Sequence, residues 1–401
     1  MSIEAREPPS QFVIKLRRAL GGRAGWTGFA VQLIFAAALV FIGYEIVANA
    51  RANLAAQRIT SGFGFMSRTA GFDVSQSLIP YSGSDTYTRV FLVGLLNTLL
   101  VSIIGIFFAT ILGFMVALGR LSPNWLLSRI AGGYRELIRN LPLLFQILFW
   151  YLAVLRALPA PRQSISLLDL VYLSNRGLVV PKPIGEAGLE PFAIAVLVAI
   201  LAALALRSYA RRQLFDHGRR ILIWPYVLGL LIGLPLLTAL AFGAPVTFEL
   251  PVLKGFNFAG GSRLIPEFVA LVLALSTYTA AFIAEIVRAG ILSVHKGQME
   301  AGASLGLHRG ETLRLVVIPQ ALRVILPPLT NQYLNLTKNS SLAVAIGYPD
   351  LVSVFAGTTL SQTGQAIEII AITMGVYLLI SLVTSAIMSF YGWRLSRSLG
   401  P

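Results

Sequence analysis

The sequence predicts an all-α integral membrane protein with about eight membrane-spanning helices. Composition, the spacing of apolar runs and the placement of positive charge predict it together. The 401 residues are 56% hydrophobic and only 12% charged, with a mean hydropathy of +0.75. A soluble domain carries about a quarter charged residues, because charge covers its surface. Half that share leaves lipid as the solvent for much of this chain.

A helix needs about 20 mostly apolar residues to cross a bilayer. Windows of that length fall at 28–49, 88–119, 134–158, 191–206, 221–242, 265–290, 321–348 and 366–393. The fourth is short and the seventh is rich in polar residues. The first ends near Ala48-Asn49-Ala50, which resembles a signal-peptidase site. Its apolar stretch is too long for a signal peptide, so an uncleaved first helix is the better reading.

Orientation follows from the excess of Lys and Arg in cytoplasmic segments. With a cytoplasmic N-terminus, eight spans return the C-terminus to the same side. That arrangement puts 21 of the 32 basic residues inside, against seven of the 17 acidic ones. The net charge of +15 therefore reports topology, not nucleic-acid binding. Residues 1–27 form a basic cytoplasmic leader. Within it, 10–20 reads either as an amphipathic helix in the headgroup layer or as a basic tail. Two long loops, near 51–87 and 156–190, fall outside and show no convincing domain of their own; 394–401 is a short tail. No low-complexity segment or clear internal repeat stands out.

The chain has no cysteine and three scattered histidines, His217, His295 and His308. That excludes disulfides and argues against a metal centre, which needs several converging ligands. There is no Gly-x-x-x-x-Gly-Lys-Ser/Thr phosphate loop, and no Ser/His/Asp set or carboxylate pair for catalysis. The residues point to no cofactor and no enzyme.

The polar stretch 295–319 is the most specific signal. It contains Gln298, Glu300, Ala301, Gly302 and Ser304, then Gly306, and ends Val316-Val317-Ile318-Pro319. The pattern predicts a short cytoplasmic helix with small residues on one face. Gly306 is placed to stop it in a positive-φ conformation. Glu300 is expected in the first turn, where it would complement the helix dipole. Small side chains allow a partner surface close to the backbone.

This stretch resembles the hallmark of the inner-membrane permeases of ABC importers, in their polar-amino-acid branch. The hallmark is Glu-Ala-Ala, three residues, Gly, nine residues, then Ile-x-Leu-Pro. Glu300, Ala301, Gly306 and Pro319 match, Gly302 stands for the second Ala, and Val316 and Ile318 replace Ile and Leu. Asn97-Thr98, the run 136–142 (Glu-Leu-Ile-Arg-Asn-Leu-Pro), the run 284–288 and the run 338–342 resemble further signatures of that branch. The resemblance implies a type I importer fold, with a five-helix core within 88–393 and three added helices: the first span and the pair at 191–242. The layout is similar to the permeases of general L-amino-acid importers. It also implies that 298–306 is the coupling helix for a dimeric ATPase subunit. The other implied partners are a second permease, a periplasmic substrate-binding protein and an amino-acid substrate, in the bacterial inner membrane. An ion-gradient-driven transporter would show inverted repeats, and a membrane enzyme would show a convergent polar site; neither sign is present.

Other candidates carry less specific signals. Glu136 with Arg139, and Glu285 with Arg288, are spaced to pair on a helix face and read as structural ion pairs near cytoplasmic span ends. Pro142 is expected to kink its helix. Asn331, Asn335, Lys338, Asn339 and Ser340 crowd into the seventh span. Polar groups at that depth face a bundle interior or a wet cavity, so they read as the lining of a translocation path, or else as interhelical hydrogen bonds.

Overall fold

The computed structural model describes residues 23–56, 62–218 and 221–398; the 10–20 segment lies outside them. Helix α1 (Arg23–Ala56) is apolar around its whole circumference over 28–49 and buries none of that window. Such a helix suits a hydrocarbon environment on every side.

The core begins with α2 (Tyr87–Leu121). At about 1.5 Å per residue its 35 residues exceed a bilayer's thickness. Along one face α2 carries Gly105, Ala109, Gly113 and Ala117, all buried, at four-residue spacing. This small-residue stripe meets α7 (Pro266–Leu292), the most enclosed span. A Cβ at Gly113 would come within 2.6 Å of Ile283 Cγ2, and Ser276 Oγ donates to the Gly105 carbonyl at 3.3 Å. Backbones at this separation gain dispersion contacts that larger residues would forbid, which is how helices associate where no water drives them together. Helix α10 (Ile318–Asn339) adds a third layer through Ala321, Ile325, Leu329 and Leu336.

The expected third span is not one helix. Residues 134–158 belong to α3 (Trp125–Asn140) and α4 (Leu143–Leu148), which continues as a π turn over Phe149–Leu155. The two axes differ by 106°. Pro142 breaks the chain rather than merely kinking it, because α4 starts afresh at Leu143. Gln146 takes up the carbonyls left open at the break: its Nε2 donates to Ile138 at 2.9 Å and to Leu141 at 3.0 Å.

Helices α5 (Leu189–His217) and α6 (Trp224–Phe242) form an antiparallel hairpin. The segment after α7 contains α8 (Lys296–Ser304) and α9 (Arg309–Thr312), and a π turn over Leu313–Val317 leads into α10. Beyond α10 the chain makes a 3₁₀ turn (Ser340–Ile346), a π turn (Val352–Thr359) and the short α11 (Leu360–Thr363), then α12 (Ala366–Ser398). The expected seventh span at 321–348 is thus part of a longer apolar stretch, Arg309–Ile346. In all, seven described helices are long and apolar enough to cross a membrane, or eight with the bent pair counted as one.

The long loops hold structure that the sequence did not announce. Strands β1 (Ile165–Leu167), β2 (Val171–Ser174) and β3 (Gly177–Val180) form an antiparallel meander. Strand β8 (Ser262–Leu264), from the loop before α7, pairs with β3. Strand β4 (Lys182–Gly185) pairs with β5 (Val246–Glu249), and β6 (Val252–Lys254) with β7 (Asn257–Ala259). Strands this short leave no period long enough to read from sequence. The protein is mostly helical, with a small sheet joining two loops that are distant in sequence.

Candidate functional site

Helix α8 projects from the end of the core. His295 caps it, its Nδ1 accepting from Gly297 N at 3.1 Å. The far end closes as the hallmark spacing requires: Leu305 N donates to Ala301 O at 3.1 Å and Leu307 N to Gly302 O at 3.1 Å. Gly306 sits at φ +78° with open space around it, so a side chain there would be strained by the backbone and not by packing. Ala301, Ala303, Ser304 and Leu305 are exposed, and Leu305 is 81% accessible. An apolar tip set among small residues is the shape expected of a knob that enters another protein.

Gly302 faces inward. A Cβ there would lie 2.5 Å from Thr312 Cγ2, so α8 rests directly on the start of the next helix. Gln298 accepts at 3.3 Å from Gln320 Nε2, a second tie to α10. Pro319 lies at the start of α10, just after the π turn. It has no N–H and its ring crowds the carbonyl four residues back. The wider turn accommodates this, with Ile318 N bonded to Leu313 O, five residues back. Glu300 is corrected: the first turn of α8 holds no acidic residue, because the helix begins at Lys296 and puts Glu300 in the second turn.

Behind α8, a charge cluster joins three helices. Glu285 of α7 pairs with Arg120 of α2, with Arg135 of α3 at 3.1 Å and with Arg288 at 3.3 Å. The Glu285–Arg288 pair is present, as part of a larger cluster. The Glu136–Arg139 pair does not form. Glu136 binds the neighbouring Arg135, and the Arg139 guanidinium stacks over the Phe282 ring at 5.0 Å.

Helix α10 has two contrasting faces. Ile325, Leu329 and Leu336 are buried against the core, while Asn331, Asn335 and Lys338 are exposed along the opposite face. Lys338 also borders a groove of about 400 Å³ against α12, with Ser341, Thr373 and Tyr377. Asn339 is half-buried. Ser340 does not belong to the open face: it follows Leu336 by one turn on the packed face, is fully buried, and its hydroxyl donates to Thr337 O at 2.7 Å where a 3₁₀ turn begins.

At the opposite end of the core, Asn97 and Thr98 of α2 hold the turn that follows α10. Asn97 Nδ2 donates to Pro349 O at 2.9 Å and to Gln76 O at 2.8 Å. Thr98 Oγ1 accepts from Leu351 N at 3.0 Å. Gly94 allows this approach, since a Cβ there would fall 2.9 Å from Leu351 Cα.

The pattern of the binding-protein-dependent transport system inner membrane component matches residues 109–397, which hold the charge cluster, α8 and the amphipathic α10. The chain belongs to this family. This permease is 55% identical over 365 residues to the YhdX protein of Escherichia coli strain K12, covering 91% of this chain and 93% of that one. It is 50% identical to the general L-amino acid transport system permease protein AapQ of Rhizobium johnstonii, covering 91% of each chain. It is 41% identical to the glutamate/glutamine/aspartate/asparagine transport system permease protein BztB of Rhodobacter capsulatus, covering 90% and 91%. A crystal structure of an amino acid ABC transporter with histidines superposes with a TM-score of 0.46 at 24% identity, over 77% of this chain and 95% of that one.

The protein is therefore a multi-pass membrane permease of the ABC transporter class. Four contributors were missed by reading the permease's sequence: Arg120 and Arg135 in the charge cluster, Gln146 at the helix break and Thr312 beneath α8. Arg120 and Arg135 meet Glu285 across a large sequence separation, Gln146 acts at the helix break, and Thr312 meets Gly302 across the turn between two short helices. Sequence offers only a faint signal, such as the lone Gln146 inside an apolar run.

Proposed function

We propose that this chain is the pore-forming subunit of an ATP-driven importer of L-amino acids in the bacterial inner membrane. The protruding segment 298–306, most of helix α8 with the stop at Gly306, is the element through which a separate ATPase acts. The observation that carries the reading is the seating of α8. Its outer face presents small residues and one exposed leucine, and its inner face rests on Thr312 without an intervening side chain. A push on such a knob passes straight into α9 and α10. The Glu285 cluster ties the neighbouring ends of α2, α3 and α7 into one body that can move with it.

In this reading a second permease packs across the open face of α10, and Asn331, Asn335 and Lys338 line the path between the two. ATP-driven closure of the ATPase dimer opens the path outward, where a loaded substrate-binding protein releases its amino acid; hydrolysis resets the pair. Relatives named for general L-amino acids and for glutamate, glutamine, aspartate and asparagine support an L-amino-acid cargo. The test is Gly306→Glu in the assembled, reconstituted complex. Binding-protein-stimulated ATP hydrolysis and uptake are both expected to fall to background. Survival of both at the parental level would remove 298–306 as the coupling element.

A further inference from the structure

The α5–α6 hairpin carries a second feature that the transport cycle does not use. Each helix packs chiefly on the other, and their cytoplasmic-side ends leave a groove between them. A deeper cavity of about 360 Å³ is lined by Ile200, Leu204, Trp224 and Leu231. A second cavity, of about 500 Å³ and nearer the helix ends, is lined by Leu214, Ile221 and Leu222. Arg207 and Ile223 border both, so the two adjoin along one open groove.

The charges on this groove are uncompensated. Arg207 and Arg211 stand four residues apart on one face of α5, both at the cavity wall, and Arg212 is exposed beside them. Among the described residues no carboxylate, carbonyl or hydroxyl bonds to any of the three, and Asp216, one turn beyond, pairs with none of them. The sequence adds Arg219 and Arg220 in the connection to α6. Guanidinium groups at the mouth of an apolar slot match a ligand with an anionic head and a hydrocarbon tail. Trp224 stands at the same level, as expected where a span meets the headgroup layer.

We propose that this groove is a binding site for an anionic phospholipid of the cytoplasmic leaflet. Arg207 and Arg211 hold the phosphate, and one acyl chain runs down the cavity past Leu204 toward Leu231. The occupant fills the seam between the helices and fixes the hairpin in the membrane.

The test is lipid binding to the purified, delipidated transporter complex, followed by native mass spectrometry with phosphatidylglycerol and phosphatidylcholine as probes. Phosphatidylglycerol is expected to bind at least about tenfold more tightly, from two basic side chains worth roughly fivefold each. The double variant Arg207→Gln/Arg211→Gln is expected to lose this preference, and Arg207→Lys/Arg211→Lys to keep most of it. Inorganic phosphate is expected not to displace the lipid, since it cannot occupy the apolar slot. Equal binding of both lipids, an unchanged preference in the Gln variant, or displacement by phosphate would each overturn the proposal. The chain has no native cysteine, so Ala203→Cys reports the groove's surroundings. Cross-linking of that position to another subunit would show a protein neighbour there and would equally overturn it.

Discussion

Gly302→Ala is a small change with a sign that the structure fixes. The new methyl would sit 2.5 Å from Thr312 Cγ2, 2.8 Å from its Oγ1 and 3.2 Å from its Cβ. Carbon atoms prefer about 3.5–4.0 Å, so about an ångström of space must open. Thr312 cannot easily give way. It is 2% exposed, its Oγ1 donates to His308 O at 3.2 Å, and its β-branched side chain is stiff. Overpacking of this kind costs about 1–3 kcal/mol. Replacing a helical Gly by Ala gains up to about 1 kcal/mol, which leaves a net loss of up to about 2 kcal/mol. In a Thr312→Ala background the two closest atoms are gone and only the Cβ at 3.2 Å remains, so the same substitution costs much less. The assay is a double-mutant cycle on thermal unfolding of the purified complex, with stimulated ATP hydrolysis measured in parallel. Gly302→Ala is expected to lower the melting temperature and weaken stimulation beside Thr312, and to lower it markedly less when Thr312 is truncated. An identical effect in both backgrounds would refute direct seating of α8 on Thr312, because distant sites add.

Further outcomes follow from the other contacts. Glu285→Gln leaves Arg120 and Arg135, whose side chains are only 15% and 18% exposed, without their shared carboxylate. The expected loss is about 1.5–3 kcal/mol, below that of a fully buried pair, read as a lower melting temperature of the complex. Gln146→Leu strands the carbonyls of Ile138 and Leu141 at the helix break; a loss of about 2 kcal/mol is expected, with faster proteolysis near 140–142. Gly94→Val drives a side chain into the backbone of Leu351 and is expected to reduce assembled protein in the membrane, scored by quantitative blotting. Lys338→Met is expected to cut amino-acid uptake at least about tenfold while basal ATP hydrolysis persists, as for a cation facing the path. Unchanged uptake would take Lys338 off it.

The sequence by itself determined the solvent, the number of apolar segments and the protruding helix. Each is written locally. Hydropathy is a property of a window, so seven of the apolar windows coincide with span-length helices. The stop at Gly306 needs only one residue able to take positive φ. The tertiary structure decided whatever depends on residues far apart in the chain. Arg135 chose Glu136 and Glu285, and Arg139 chose Phe282, because the broken span swung α3 across α7, and no i,i+3 spacing encodes that swing. Ser340 lies inward, one turn beyond the buried Leu336, because burial depends on which face meets the core and not on the polarity of its sequence neighbours. The small sheet depended on β3 meeting β8 across about 80 residues of intervening chain, and strands of three or four residues carry no period of their own. Periodicity and composition act over one or two turns, whereas partner choice is settled only when the helices have packed.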